Sequence, residues 1–224
     1  MIIGEHKPIR ELLSMIEGYN NILMVGCKGC VTVCNAGGSK EVAILAAALR
    51  IARRKQDKPV NIDELTIDRQ CEPEFISWLE DPVEKNKYDA IVSLACSIGP
   101  QYIAEAFDTM VVLPGLNTSF MGGTAEHGIW EEYCSACGSC GIHNFGGLCP
   151  ITRCAKGLLN GPCGGSVDGT CEVSEDTDCI WELIYRRMQN LGEVDRLEER
   201  IGAKDWSTSL SGGPRRIIRE DLTQ

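Results

Sequence analysis

ILMVGCKGCVTVCNAGGSKEVAILAAALRIARR (residues 22–54) carries a strand, a cysteine-bearing loop and a helix, in that order. Ile22–Val25 is a short unbroken apolar run that stops at Gly26, the pattern of a strand buried on both faces. Ser39 to Arg54 predicts a helix. Ser39 is a good N-cap, Glu41 sits in the first turn, and Arg53 and Arg54 occupy the last turn, where cations suit the helix dipole.

Working outward, the same alternation recurs. Upstream, Ile9, Leu12, Leu13 and Ile16 recur at helical spacing. Downstream, residues 64–67 predict a second strand and Glu74–Leu79 a helix. Asp89–Ala95 (DAIVSLA) predicts a third strand, Gln101–Phe107 a helix and Met110–Leu113 a fourth strand. Strands alternating with helices predict an α/β domain over residues 1–125, with a doubly wound, Rossmann-like parallel sheet. Ligands of such sheets sit at the carboxyl ends of the strands. Cys27 follows the first strand, Cys71 the second and Cys96 the third, so three cysteines far apart in sequence converge on one sheet edge. Cys30 and Cys34 lie in the loop after Cys27.

The composition changes after residue 116. Residues 117–179 hold 12 of the 24 glycines and eight of the 13 cysteines, with little helical or strand periodicity. Such a segment buries little apolar surface, and metal–thiolate bonds can supply the missing cohesion. Residues 126–179 therefore read as an irregular Gly/Cys-rich metal-binding module. Residues 180–224 read as a short helical tail. Trp181, Ile184, Tyr185 and Met188 mark its helix, and Ser211–Pro214 with Arg215 and Arg216 form an arm lying on a partner or on the body of the protein, or else a free terminus.

Thirteen cysteines against three histidines point to soft-metal chemistry. The opening MIIGEHKPIRELL lacks the basic-then-apolar layout of a secretory signal, so a cytoplasmic, reducing setting is expected, where dense C-x2-C spacing means metal rather than disulfides. The odd count also fits a disulfide framework poorly. A net charge of −10 argues against nucleic acid as a partner. No apolar run approaches the roughly 18 residues of a membrane span.

Cys27, Cys30 and Cys34 form C-x2-C-x3-C. With Cys71 or Cys96 as the fourth ligand, they suit a [4Fe–4S] cluster, commonly held by three close cysteines and one remote one. Gly26, Gly29, Gly37 and Gly38 let the backbone turn around it, and amides at the start of the following helix could donate to sulfur. The competing readings are small buried thiols and a redox dithiol.

Cys134, Cys137 and Cys140 form C-x2-C-x2-C, followed by Cys149-Pro150. The run resembles ferredoxin spacing, although eight residues rather than three precede the Cys-Pro. Structural zinc is the rival. Cys154, Cys163, Cys171 and Cys179 are enough for a further four-thiolate site. His143 could replace one thiolate or be an ordinary loop histidine. No Gly-x-Gly-x-x-Gly follows a strand, GGSK at Gly37–Lys40 is not a P-loop, and no nucleophile–base pair is apparent. No acid–base catalysis is expected from this chain alone.

LCPITRCAKGLLNGPCGGSVDGTCEV (residues 148–173) closely resembles the methylenetetrahydrofolate reductase C-terminal family, a cysteine-rich zinc and/or [4Fe–4S] module. VGCKGCVTVCNAGG (25–38), RQCEPEF (69–75), SLACSIG (93–99) and LSGGPRRI (210–217) resemble its stand-alone MetV-type form, the small iron–sulfur subunit of the reductase of acetogenic and related anaerobic bacteria. The resemblance implies a flavin-carrying TIM-barrel partner of the MetF type. With it, 5,10-methylenetetrahydrofolate is reduced to 5-methyltetrahydrofolate in the Wood–Ljungdahl pathway. FMN or FAD and the folate site would belong to that partner, and heterodisulfide-reductase-like subunits could attach. This chain would hold two [4Fe–4S] clusters, with zinc as an alternative in the C-terminal module. Cys27, Cys30, Cys34, Cys71 and Cys96 carry over as N-terminal cluster candidates. Cys134, Cys137, Cys140, Cys149, Cys154, Cys163, Cys171 and Cys179 carry over as C-terminal metal ligands.

Overall fold

The computed structural model describes residues 1–219 and 221. The chain divides into two units, Met1–Glu131 and Glu132–Gln224.

The first unit is built on a four-stranded parallel sheet. Its strands are β2 (Asn21–Cys27), β3 (Asn61–Ile67), β4 (Ala90–Leu94) and β5 (Val111–Pro114), in the spatial order β3-β2-β4-β5. Both faces are covered, which explains the near-continuous apolar strands. Ile22, Met24, Val92 and Leu94 pack on one face with Leu12 of α1 (Ile9–Met15), Ile16 just after it, and Val42, Leu45 and Leu49 of α3 (Ser39–Lys55). Leu23, Val25 and Ile91 pack on the other, with Ile76, Leu79 and Ile103. Ile76 ends α4 (Pro73–Ile76), which tightens into a 3-10 turn over Ser77–Leu79, and Ile103 lies in α6 (Ile98–Ala106). α2 (Cys30–Val33) is a single turn inside the cysteine loop, and α5 (Glu80–Asn86) precedes β4.

β3 starts three residues before the predicted strand; two of the added residues, Asn61 and Asp63, are polar, so no apolar run marks its start. It is an edge strand, where only one flank is paired, and Ile62 and Ile67 supply its buried side chains. Arg53 is buried at the end of α3 and donates to the carbonyls of Ile16, Glu17 and Lys58, which satisfies the chain ends around it.

Three further strands depart from the sequence expectation. β1 (Ile2–His6), β6 (Leu116–Glu126) and β7 (Ile129–Cys134) form a sheet in the order β1-β6-β7, with β1 antiparallel to β6. Residues 117–134 therefore do not open an irregular module. Their strands are held by backbone pairing while most of their side chains stay exposed or half-buried, so no apolar alternation announces them. The two residues between β6 and β7 are His127 and Gly128, the latter at φ +85.

The second unit has a small apolar core of its own. Phe145, Ile180, Trp181, Ile184 and Met188 are buried together, and Phe145 meets Trp181 edge-on at 5.5 Å. Four of these five lie on α8 (Ile180–Leu191), which ends at Gly192 in the left-handed region at φ +71. The predicted helix thus packs into the cysteine-rich unit. Around it lie α7 (Pro150–Arg153) and the hairpin of β8 (Thr170–Cys171) and β9 (Ser174–Asp178). The late segment also folds onto this unit. Thr208 donates to the Cys137 carbonyl at 3.0 Å, and a side chain at Gly138, where φ is +83, would collide with the Thr208 carbonyl.

Candidate metal centres

In the first unit, strand register decides which cysteines meet. Cys27 ends β2 opposite Ile67 of β3, and Gly26 lies opposite Leu94 of β4. The loops that leave β3 and β4 carry Cys71 and Cys96, so both flank Cys27. This is also where the strand order reverses, since β3 lies to one side of β2 and β4 to the other. Such a switch point opens a crevice at the carboxyl edge.

Thiol electrostatics report the same grouping. Burial pushes the Cys71 thiol up, and the neighbouring Cys27 and Cys96 sulfurs add to the shift. Burial also pushes Cys96 up, opposed by the backbone N–H groups of Ile98 and Gly99 and reinforced by Cys27 and Cys30. Cys71 thus senses Cys27 and Cys96, and Cys96 senses Cys27 and Cys30. Gly29 donates its N–H to the Cys27 sulfur at 3.4 Å, so donors to sulfur are already in place.

Cys34 is set differently. Its buried sulfur accepts from the Gly4 N–H at 3.5 Å and lies 3.6 Å from the Gly4 and Val31 carbonyls. It ties the cysteine loop to β1, as does His6, whose ring nitrogen contacts the Ala36 carbonyl at 2.6 Å.

Two buried polar residues hold the Cys71 loop in register. The Gln70 amide donates to the Val25 carbonyl at 2.9 Å and accepts from the Ser93 hydroxyl at 2.6 Å. Gly99 lets α6 approach, since a Cβ there would sit 2.8 Å from the Gln70 Cβ and 2.6 Å from the Ala95 Cβ. Gly37 accepts from the Cys27 N–H at 2.8 Å, and a side chain there would collide with the Leu94 carbonyl. Sequence reading missed Gln70 and Ser93. Their partners are distant in sequence, and neither residue type marks a site locally.

In the second unit the eight cysteines line two cavities, four to each. Cys134, Cys137, Cys140 and Cys149 line one of about 530 Å³. Cys154, Cys163, Cys171 and Cys179 line another of about 20 Å³, together with Arg153, Lys156, Glu172 and Trp181. Ala136 donates its N–H to the Cys134 sulfur and Gly165 to the Cys163 sulfur, each at 3.4 Å. The Gly165 amide, aided by the Lys156 charge, draws the Cys163 thiol below its ordinary range. His143 lines neither cysteine cavity but borders a separate one of about 390 Å³ beside Cys140.

Residues 113–207 match the family described as methylene-tetrahydrofolate reductase C terminal. The match takes in all eight cysteines of the second unit and none of the five in the first. The chain therefore carries a segment related to the C-terminal region of that reductase. No curated protein and no solved structure matches the chain.

Among the described residues, no three Cys, His, Asp or Glu side chains already sit where they could hold one metal ion. A [4Fe–4S] cluster makes a different demand, one thiolate at each of four irons, with amide donors to the sulfurs. Cys27, Cys30, Cys71 and Cys96, with the amides of Gly29, Ile98 and Gly99, match that donor chemistry. Among the described residues, no helix is long and apolar enough to cross a membrane.

Proposed function

We propose that this chain is the iron–sulfur electron-transfer subunit of a methylenetetrahydrofolate reductase complex, of the small MetV type. One juxtaposition carries the reading. Cys27, Cys30, Cys71 and Cys96 lie on the loops at the switch point of a parallel sheet, in a chain whose 113–207 segment matches the reductase's C-terminal family.

Cys27, Cys30, Cys71 and Cys96 would hold the first [4Fe–4S] cluster, with Cys34 left as a structural thiol. A second cluster would lie among the eight cysteines of the other unit. When bound, such clusters supply one-electron transfer between a donor and a flavin. The chain's own residues perform the supporting tasks. Gln70 and Ser93 fix the Cys71 loop, and the Gly29, Ile98 and Gly99 amides stabilise thiolate charge. Burial of Cys27, at 7% exposure, restricts water at that ligand.

Folate and FMN or FAD would be bound by a TIM-barrel partner of the MetF type in the cytoplasm. There 5,10-methylenetetrahydrofolate is reduced to 5-methyltetrahydrofolate in the Wood–Ljungdahl pathway. Heterodisulfide-reductase-like subunits are the further partners this reading admits.

The second reading is a zinc-binding assembly subunit that carries no electrons. The four cysteines Cys154, Cys163, Cys171 and Cys179 lining one small cavity favour it at that site alone. Iron, acid-labile sulfide and zinc analysis of anaerobically purified protein separates the two, with electron paramagnetic resonance after reduction. The electron-transfer reading expects iron and sulfide in equal amounts and cluster signals on reduction. Zinc with almost no iron or sulfide would sink it.

A further inference from the structure

We infer that the α4–α6 face beside Cys71 and Cys96 is the surface on which the flavin-carrying partner docks, and that the partner's matching surface is an apolar centre ringed by lysine or arginine. This deepens the proposed function and rests on its premise of electron exchange with a flavoprotein.

The centre of the face is apolar. α4 and α6 lie side by side over one face of the sheet, where Ile76 and Ile103 are buried. Their outward sides keep large side chains in solvent. Trp78 is 49% exposed, Ile98 46% and Tyr102 37%. Trp78 meets the half-buried Phe75 edge-on at 5.0 Å, which holds its ring in place. Ile98 and Tyr102 lie one turn apart and share one side of α6. Clustered exposed apolar side chains mark interaction surfaces, and Trp and Tyr are the common anchors of interfaces.

The face adjoins the thiols. Cys71 stands two residues before α4, and Cys96 two residues before Ile98, which opens α6. Gly99 brings the start of α6 against Gln70, the residue before Cys71. Of Cys27, Cys30, Cys71 and Cys96, Cys71 is the exposed one. Electron transfer weakens with distance, so a partner seated over Cys71 is placed to exchange electrons with a centre held there.

Charge selects the occupant. Residues 72–86 and 97–110 carry seven acidic side chains and one basic one, a net charge of −6 against −10 for the whole chain. The one base, Lys85, pairs with Asp81 at 2.6 Å. Glu74 adjoins Phe75, Glu80 lies two residues past Trp78, and Glu105 lies three past Tyr102 on the same helix, and all three are exposed. Such a rim repels a second copy meeting it face to face, and it repels nucleic acid and anionic membranes. It attracts a basic protein surface.

The test uses the full chain, purified anaerobically, and the flavin-loaded partner subunit of the complex. The variants are Trp78→Ser, the double variant Glu74→Lys/Glu105→Lys, and Ile44→Ser on the exposed side of α3 as a control. Sedimentation measures association at low and high salt, stopped flow measures flavin reduction by the reduced chain, and iron is counted in each variant. Trp78→Ser should weaken association about tenfold or more. The double variant should bind more weakly and with less salt dependence than the wild type. Flavin reduction should slow in both, and Ile44→Ser should match the wild type, with iron unchanged throughout. Wild-type affinity in both Trp78→Ser and the double variant would overturn the assignment, as would wild-type self-association that Trp78→Ser abolishes. Unchanged binding by variants that keep their iron would defeat this docking surface and leave the electron-transfer reading standing. Binding lost in Trp78→Ser, from protein that holds no iron, would uphold the surface and defeat electron transfer. A wild-type chain that does not bind the flavoprotein would overturn both.

Discussion

The Ser93 hydroxyl donates to the Gln70 side-chain carbonyl at 2.6 Å, and both residues are fully buried. Through this bond the middle of β4 holds the loop that carries Cys71, and the Gln70 amide makes the matching bond to β2 at Val25. A polar bridge between two strands and a loop thus sets the spacing of cysteines drawn from three loops.

Gln70→Leu leaves the Ser93 hydroxyl and the Val25 carbonyl without these bonds in an apolar interior. It should destabilise the first unit by about 1–3 kcal/mol and lower its iron content. Ser93→Ala should cost less, about 1 kcal/mol, because the Gln70–Val25 bond survives. Denaturant unfolding followed by strand-region probes, with iron analysis of each variant, measures both.

Cys34 and Cys30 should part company. Cys30→Ala is expected to remove one cluster's worth of iron and its resonance signal. Cys34→Ala is expected to keep that iron and lose stability, because the buried contact with Gly4 disappears. Iron loss from Cys34→Ala equal to that from Cys30→Ala would return Cys34 to the ligand set.

The metal-free protein should weaken on the alkaline side. Cys71 and Cys96 are both pushed above the ordinary thiol value of 9.0, burial being the main cause. Above that value the unfolded chain releases thiol protons that the folded chain still holds. The stability they contribute is therefore complete at lower pH and is lost as pH rises through the raised values. Melting temperatures from pH 8 to pH 11 should fall more steeply for the wild type than for a Cys71→Ser/Cys96→Ser variant.

Chelation should affect the two units unequally. The first has two extensive cores on either face of its sheet, whereas the second has one core of five buried residues. Hydrogen exchange after metal removal should show residues 132–179 losing protection while β2 and β4 keep theirs. Equal loss in both units would mean that the sheet also depends on metal.

Much of the parallel sheet could be read directly from the chain. Ile22–Val25 is apolar throughout and Ala90–Leu94 is apolar but for Ser93, because both sheet faces are covered, and that burial leaves a local trace. The sheet of β1, β6 and β7 left no comparable trace. Its strands are held by backbone pairing, and Asn117, Thr118 and Ser119 alternate nothing a hydrophobic pattern would register. Trp181, Ile184 and Met188 marked α8 correctly, but not that Phe145 would complete its core.

By itself the sequence determined that thiols dominate the chemistry, that five follow strand ends or the first strand's loop, and that eight crowd a glycine-rich stretch. Spacing and composition are local properties. Only the tertiary structure turned Cys34 toward Gly4, brought Cys71 and Cys96 together beside Cys27, and divided the eight between a wide cavity and a narrow one. The reason is physical. Which thiols share a site depends on strand register, close glycine contacts and buried hydrogen bonds between residues distant in sequence, and no local pattern encodes those distances.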